Sequence, residues 1–202
     1  MKNTKTFFPQ QTHFIGVLLP DDITSTLEDC RRYMSHTYGC KSGYRTPIHV
    51  TLVPPFKLQE EYGTHDLENA IFSAIESGSI TRALATDSGK KFVAHIEGFD
   101  AFGDRTIFAK VLADPRWTSL RDLTLDAVLK SCPGCTKKDA RPFQPHATVA
   151  NRDIPSGVSS DALKVLGEIN LNEDFPVDNI TIFERKGSAW EIASTIELGG
   201  KD

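Results

Sequence analysis

The order of helical and extended patterns predicts a two-lobed fold of helices and strands, with a cleft between two equivalent strands. Three observations carry this reading. A His-x-Thr pair occurs twice inside short apolar runs, as Ile48-His49-Val50-Thr51-Leu52-Val53 and as Pro145-His146-Ala147-Thr148-Val149-Ala150. Both histidines follow a proline within two residues, Pro47 and Pro145. The succession helix, His/Thr strand, helix, hairpin then occurs once around each pair.

In chain order, residues 12–19 read as a buried strand ended by Pro20. Asp21 or Asp22 can cap the next helix, where Ile23, Leu27, Cys30, Met34 and Tyr38 keep the helical period and Gly39 is the stop. A polar, basic loop over 41–45 leads into the first His/Thr strand. Pro54-Pro55 ends that strand, because proline has no N–H for a sheet ladder. Residues 66–76 predict a helix with Leu67, Ile71 and Ile75 on one face, and the Ser/Thr/Gly-rich stretch 77–90 predicts an exposed connection. Residues 92–97 and 106–111 flank Gly103-Asp104, a hairpin signature.

The second half replays this order. Trp117, Leu120, Leu123, Ala127 and Cys132 form a helical pattern broken at Pro133-Gly134, and a basic loop with Lys137, Lys138 and Arg141 precedes the second His/Thr strand. Ser159 or Ser160 is placed as the cap of a helix carrying Leu163 and Leu166. Residues 177–184 and 189–198 form a last hairpin around Lys186-Gly187-Ser188. His13 at a strand edge and His95 without a threonine partner both read as structural histidines.

Bulk properties exclude several classes. The 202 residues suffice for one sizeable core, and nothing divides them, so 1–202 reads as a single bilobal domain with a short N-terminal tail over about 1–10. A net charge of −4 argues against coating long duplex nucleic acid and leaves room for a small anionic ligand in a locally positive cleft. No run approaches the ~20 apolar residues a spanning helix needs, and residues 1–8 lack the apolar segment of a signal peptide. A cytoplasmic protein with no membrane contact is expected. Cys132-Pro133-Gly134-Cys135 has redox or zinc spacing, but Cys30 and Cys40 do not repeat it. A redox pair normally opens a helix, whereas this one closes a helical pattern at a Pro-Gly stop, so it reads as a structural turn.

Successive side chains of a strand point to opposite faces. His49 and Thr51 therefore share one face, with Val50 and Leu52 behind, and His146 and Thr148 share another, with Ala147 and Val149 behind. An imidazole beside a hydroxyl, held on a strand and repeated once, suits two proton-transfer groups around one oxyanion. Either histidine alone is more simply a strand-end residue; the doubled set within a duplicated succession is what favours catalysis.

The run from Ile48 to Phe56 and the run Arg141-Pro142-Phe143-Gln144-Pro145-His146-Ala147-Thr148-Val149-Ala150 resemble the paired motifs of the 2H phosphoesterase superfamily. More narrowly they resemble its bacterial-type 2′-5′ RNA ligase and 2′,3′-cyclic phosphodiesterase branch. The resemblance extends from Thr12 to Leu198. It implies a bilobal α+β fold with two pseudo-symmetric lobes of antiparallel sheet, helices outside and the active cleft between the lobes. It further implies no metal or cofactor, action on 2′,3′-cyclic phosphates or 2′-5′ linkages, and catalytic roles for His49, Thr51, His146 and Thr148. One position departs: relatives often carry Arg directly after the Ala that closes the second motif, whereas here Asn151 intervenes before Arg152.

These residue types match that chemistry. Opening a cyclic phosphodiester needs one group to deprotonate water and another to protonate the leaving ribose oxygen. Histidine, titrating near pH 6.5, can supply both, and threonine hydroxyls can stabilise the charge that builds on the phosphoryl oxygens. Candidate substrate contacts are Arg45 and Arg152, with Lys41 and Arg141 adding positive charge, and Phe56 and Phe143 as stacking partners for a base or as core residues. The expected partner is a small nucleotide or an RNA end bearing a cyclic phosphate, bound by a monomer. The competing readings are a 2′-5′ ligase or 2′,5′-phosphodiesterase on the same atoms, a nucleotide-binding module with little chemistry, and a zinc protein using histidines and cysteines.

Overall fold

The computed structural model describes residues 11–85, 92–138 and 141–198. The tail expected over about 1–10, and residues 86–90 of the expected connection, lie outside the described residues. Along the chain come β1 (His13–Leu18), α1 (Asp21–Tyr38), β2 (His49–Phe56), α2 (Thr64–Glu76) and α3 (Ser79–Leu84). They are followed by β3 (Val93–Phe102), β4 (Thr106–Val111), α4 (Pro115–Ser131) and β5 (His146–Asn151). The last elements are α5 (Ser159–Leu166), β6 (Asn172–Pro176), β7 (Asn179–Lys186) and β8 (Ala189–Glu197).

The fold is α+β, and its strands form one eight-stranded sheet in the order β6-β3-β4-β5-β2-β1-β7-β8 with antiparallel pairings. The two His/Thr strands, β2 and β5, are neighbours at its centre, and four strands belong to each half. Each hairpin crosses over: β3–β4 follows the first motif but completes the sheet of the second, and β7–β8 does the reverse. The helices interlock the halves in the same way, since α1 packs on β5 and α4 on β2. The seam between the halves is narrow, with Val50↔Ala147 the one paired position given by the register of β2 and β5.

Local chemistry explains most boundaries. In α1 the residues Ile23, Leu27, Cys30 and Met34 are buried one turn apart, and Gly39 ends the helix at φ 74°, a left-handed conformation glycine adopts without a Cβ penalty. The cap expected at Asp21 or Asp22 is at neither residue. Pro20 holds the cap position without a side-chain bond, and the two carboxylates lie in the first turn, where they favour the positive helix end. Helix α2 begins at Thr64 rather than at Asp66, because Gly63 is its extended cap and Asp66 Oδ2 accepts from Gly63 N at 2.8 Å.

Other expectations also need correction: β2 does not stop at Pro54-Pro55 but runs through both prolines to Phe56. Residues 79–84 are a helix, not connection: Gly78 ends α2 at φ 73°, after which Ile80 and Leu84, one turn apart, are buried and α3 packs on α4. Strand β6 was not foreseen; with Phe175 alone of its five residues buried, it shows little alternation and is held by pairing with β3. In α5 the cap position is Val158, and Ser159 lies inside the helix with its hydroxyl buried and unpartnered. The Cys132–Cys135 pair does form a turn at the end of α4, closed by a disulfide.

Alternation along the central strands is as the sequence implies. Val50, Leu52, Ala147 and Val149 are buried, each larger side chain contributing about 1.5–3 kcal/mol, while His49, Thr51, His146 and Thr148 are half-buried on the other face.

Candidate active site

The register set by Val50↔Ala147 places His49 opposite Thr148 and Thr51 opposite His146. Because the strands are antiparallel, the four polar side chains form a patch with the imidazoles at diagonal corners and a hydroxyl at each of the others.

The same device orients both rings. His49 Nδ1 lies 2.7 Å from the Pro47 carbonyl and His146 Nδ1 lies 2.8 Å from the Gln144 carbonyl, each two residues upstream. A carbonyl only accepts, so Nδ1 carries the proton in both rings and Nε2 is left for chemistry. His49 Nε2 also lies 3.1 Å from Thr51 Oγ1, and among the described residues Thr148 makes no matching bond to His146.

Each ring rests on two phenylalanines from the next two strands outward in its half of the sheet. His49 packs on Phe14 of β1 and Phe183 of β7, at centroid distances of 4.6 and 5.2 Å. His146 packs on Phe108 of β4 and Phe102 of β3, at 5.1 and 5.2 Å. Gly16 is required beneath His49: a Cβ there would lie 2.7 Å from the Val50 carbonyl oxygen and 3.2 Å from His49 Cδ2. These supports come from strands distant in sequence, which is why motif reading missed them. Arg31 of α1 was missed for the same reason; it is buried and donates to the carbonyl oxygens of Thr148 and Thr46.

Burial pushes the His49 imidazole down to about 4. The Pro47 carbonyl opposes this, and the positive charges of Arg31 and His146 act in the same direction as burial. His146 is also held below its ordinary value by burial, against the pull of the Gln144 carbonyl. Both rings are thus neutral near pH 7.

The remaining candidates are dispersed. Arg45 is exposed, its Nη1 3.4 Å from Ser188 Oγ. Phe56 is not at the site: it is buried at the far end of β2 against His13, and seven residues of strand separate it from His49, roughly 23 Å at ~3.3 Å per residue. Phe143 is half-buried under the Arg121 guanidinium and, with Trp117 and Pro145, lines a cavity of about 220 Å³ at the start of α4. Arg152 follows the end of β5 opposite to His146, exposed, with φ 73° and its N–H bonded to the Arg105 carbonyl. Lys41 N and Ser42 N donate to Asp153 Oδ2, which anchors the basic loop. His13 sits between the hydroxyls of Thr12 and Thr64, and His95 pairs with Asp174, both structural settings. Among the described residues no group of three or more His, Cys, Asp or Glu is placed to hold a metal ion, and no helix is long and apolar enough to cross a membrane.

A family model described as the 2′-5′ RNA ligase superfamily matches residues 19–189, which include both motif strands. The chain belongs to this superfamily, the 2H phosphoesterases. Solved structures of the same fold include TT0787 of Thermus thermophilus, with 19% identity, a TM-score of 0.57, and coverage of 95% of this chain and 100% of that one. E. coli LigT complexed with 3′-AMP is similar at 16% identity and TM-score 0.60, covering 94% and 99%. The MHV ns2 PDE domain is similar at 15% and 0.54, covering 88% and 100%. Structures of LigT also hold NADP+, ATP or phosphate. No curated protein matches this 2H phosphoesterase in sequence.

Proposed function

We propose that this 2H phosphoesterase hydrolyses a 2′,3′-cyclic phosphate, on an RNA end or a small nucleotide, by general acid–base catalysis without a metal or cofactor. The observation that carries the proposal is the diagonal His/Thr set, in which both Nδ1 protons are tied to backbone carbonyls, so that each Nε2 is the accepting nitrogen, shared at His49 with the Thr51 hydroxyl. In the reaction a water oxygen attacks phosphorus, and its proton passes to Nε2 of one imidazole. The bond from phosphorus to one ribose oxygen breaks, and the other imidazole, as imidazolium, protonates that oxygen. Diagonal imidazoles stand on opposite sides of the phosphorus, as in-line displacement needs. The Thr148 hydroxyl donates to one non-bridging oxygen, and the Thr51 hydroxyl turns from His49 Nε2 to donate to the other when substrate binds, charge-assisted bonds worth about 1.5–3 kcal/mol each.

Both motif strands belong to one chain, so a single copy supplies the whole set, and the protein acts as one bilobal unit and as a monomer. Small nucleotides are the expected ligands, as they are for LigT. The superfamily match favours one second reading, 2′-5′ ligation, in which a 5′-hydroxyl replaces water as the nucleophile.

The test is a screen of 2′,3′-cyclic nucleotides, 2′-5′-linked dinucleotides and cyclic-phosphate-ended RNA paired with a 5′-hydroxyl end, all with EDTA present. Turnover of the cyclic substrates undiminished by EDTA is expected. Turnover restricted to 2′-5′ linkages moves the assignment to the second reading. Activity lost with EDTA and restored by a divalent ion, or no turnover of any substrate, overturns the proposal.

A further inference from the structure

Helix α1 buries Ile23, Leu27, Cys30 and Met34, and beside them Arg31, which is only 6% exposed. Arginine is almost never buried unless its charge and donors are met. Among the described residues Arg31 has no ion pair with a carboxylate; its guanidinium bonds backbone instead. Nε and Nη2 lie 3.3 and 3.0 Å from the Thr148 carbonyl oxygen, and Nη1 donates to the Thr46 carbonyl oxygen. Thr148 is the threonine of the second motif, and Thr46 leads into the first. Arg31 therefore spans the two motif segments where the sheet joins them by the Val50↔Ala147 pairing.

We propose that Arg31 is a positioning residue that clamps β2 to β5 and sets the spacing and orientation at which His49 and His146 face the substrate. This rests on reading those two histidines as the working pair. In-line transfer tolerates little misplacement, since a shift of ~1 Å can cost about 10²-fold. A planar fork serves two carbonyls at once, which a lysine ammonium on a single flexible stem does not. The charged and titratable groups around the clamp are Glu28 on the same helix, Tyr44 in the loop before β2, and His49. The Arg31 charge also helps to keep His49 neutral.

The test compares wild type with Arg31→Lys and Arg31→Met by three measurements. Hydrogen exchange at the amides of 49–51 and 146–148 is expected to speed up at least about tenfold in both variants, with the β7–β8 amides unchanged. NMR titration is expected to show the His49 pKa higher in Arg31→Met than in Arg31→Lys, while burial still holds it below its ordinary value in both. On a 2′,3′-cyclic nucleotide, kcat is expected to fall about tenfold or more in both variants while KM changes little. Exchange unchanged at the seam, or accelerated equally across the whole sheet, overturns the clamp, as does wild-type kcat in both variants. Should Arg31→Met not fold, Arg31→Lys decides by the same exchange and kinetic criteria. An inactive wild type overturns the functional reading instead, and the exchange measurement still decides on Arg31.

Discussion

The two halves of the site carry the same motif and the same tautomer device, yet they surround their histidines differently. His49 is enclosed: Phe14 and Phe183 beneath it are both buried, Gly16 brings the β1 backbone against its ring, and Thr51 bonds its Nε2. His146 is more open, because Phe102, one of its two supports, is 41% exposed, and the residue opposite it on β4 is Lys110 rather than an apolar one. The cross-strand neighbour of His49 is Leu18. Both rings are pushed down by burial, and only His49 also feels the Arg31 charge. A duplicated motif thus yields two imidazoles of different proton affinity, which an acid–base pair requires if one ring is to be neutral while the other is charged.

The sharpest way to break this comparison is to remove either ring. His49→Ala and His146→Ala are each expected to lower kcat by about 10²-fold or more, the loss expected for a positioned acid or base. Single-turnover kinetics on a folded variant checks it, and near-wild-type turnover in either variant means the halves do not work as a pair. The hydroxyls come next. Thr51→Val and Thr148→Val keep the β-branched shape, and each is expected to cost roughly ten- to a hundredfold in kcat with the fold intact. A loss in only one of them shows that the phosphoryl oxygens lean on one half.

The smallest effect separates the halves by pH. A histidine whose folded pKa lies below its unfolded value binds its proton first in the unfolded chain. The His49 contribution to stability is therefore complete above pH 6.5 and lost as the pH falls toward about 4. Urea midpoints measured from pH 7.5 to 4.5 should fall less steeply in His49→Phe than in wild type. An identical slope would show that the enclosed half does not hold its ring neutral.

Much of this architecture is written in short-range patterns. The two-residue period of β2 and β5 places His and Thr together, and Gly39, Gly103-Asp104 and Lys186-Gly187-Ser188 mark real turns. Strand β6 and helix α3 are less legible, since each is short and gains its stability from a neighbour found far along the chain. Phe56 misleads because nearness in sequence along a strand is distance in space. The residues that support the imidazoles, Phe14, Phe102, Phe108, Phe183 and Arg31, are brought together by strand order and helix packing, which no local pattern encodes. The upstream prolines were a partial signal: the Pro47 carbonyl is the acceptor for His49, while on the other side the acceptor is Gln144, one residue before Pro145.

The central claim is that His49 and His146 act as one acid–base pair with separated proton affinities. Its most direct test is the pH profile of kcat/KM on a 2′,3′-cyclic nucleotide with EDTA present, which reports the free enzyme. A bell is expected, with its acid limb descending toward about pH 4, where His49 titrates, and its maximum below 6.5, because burial lowers both rings. His49→Ala should lose the acid limb and His146→Ala the alkaline one. The double variant should be little worse than the poorer single one, since the two rings act as a unit. A single-limbed wild-type profile, or both limbs surviving in the double variant, would contradict the account.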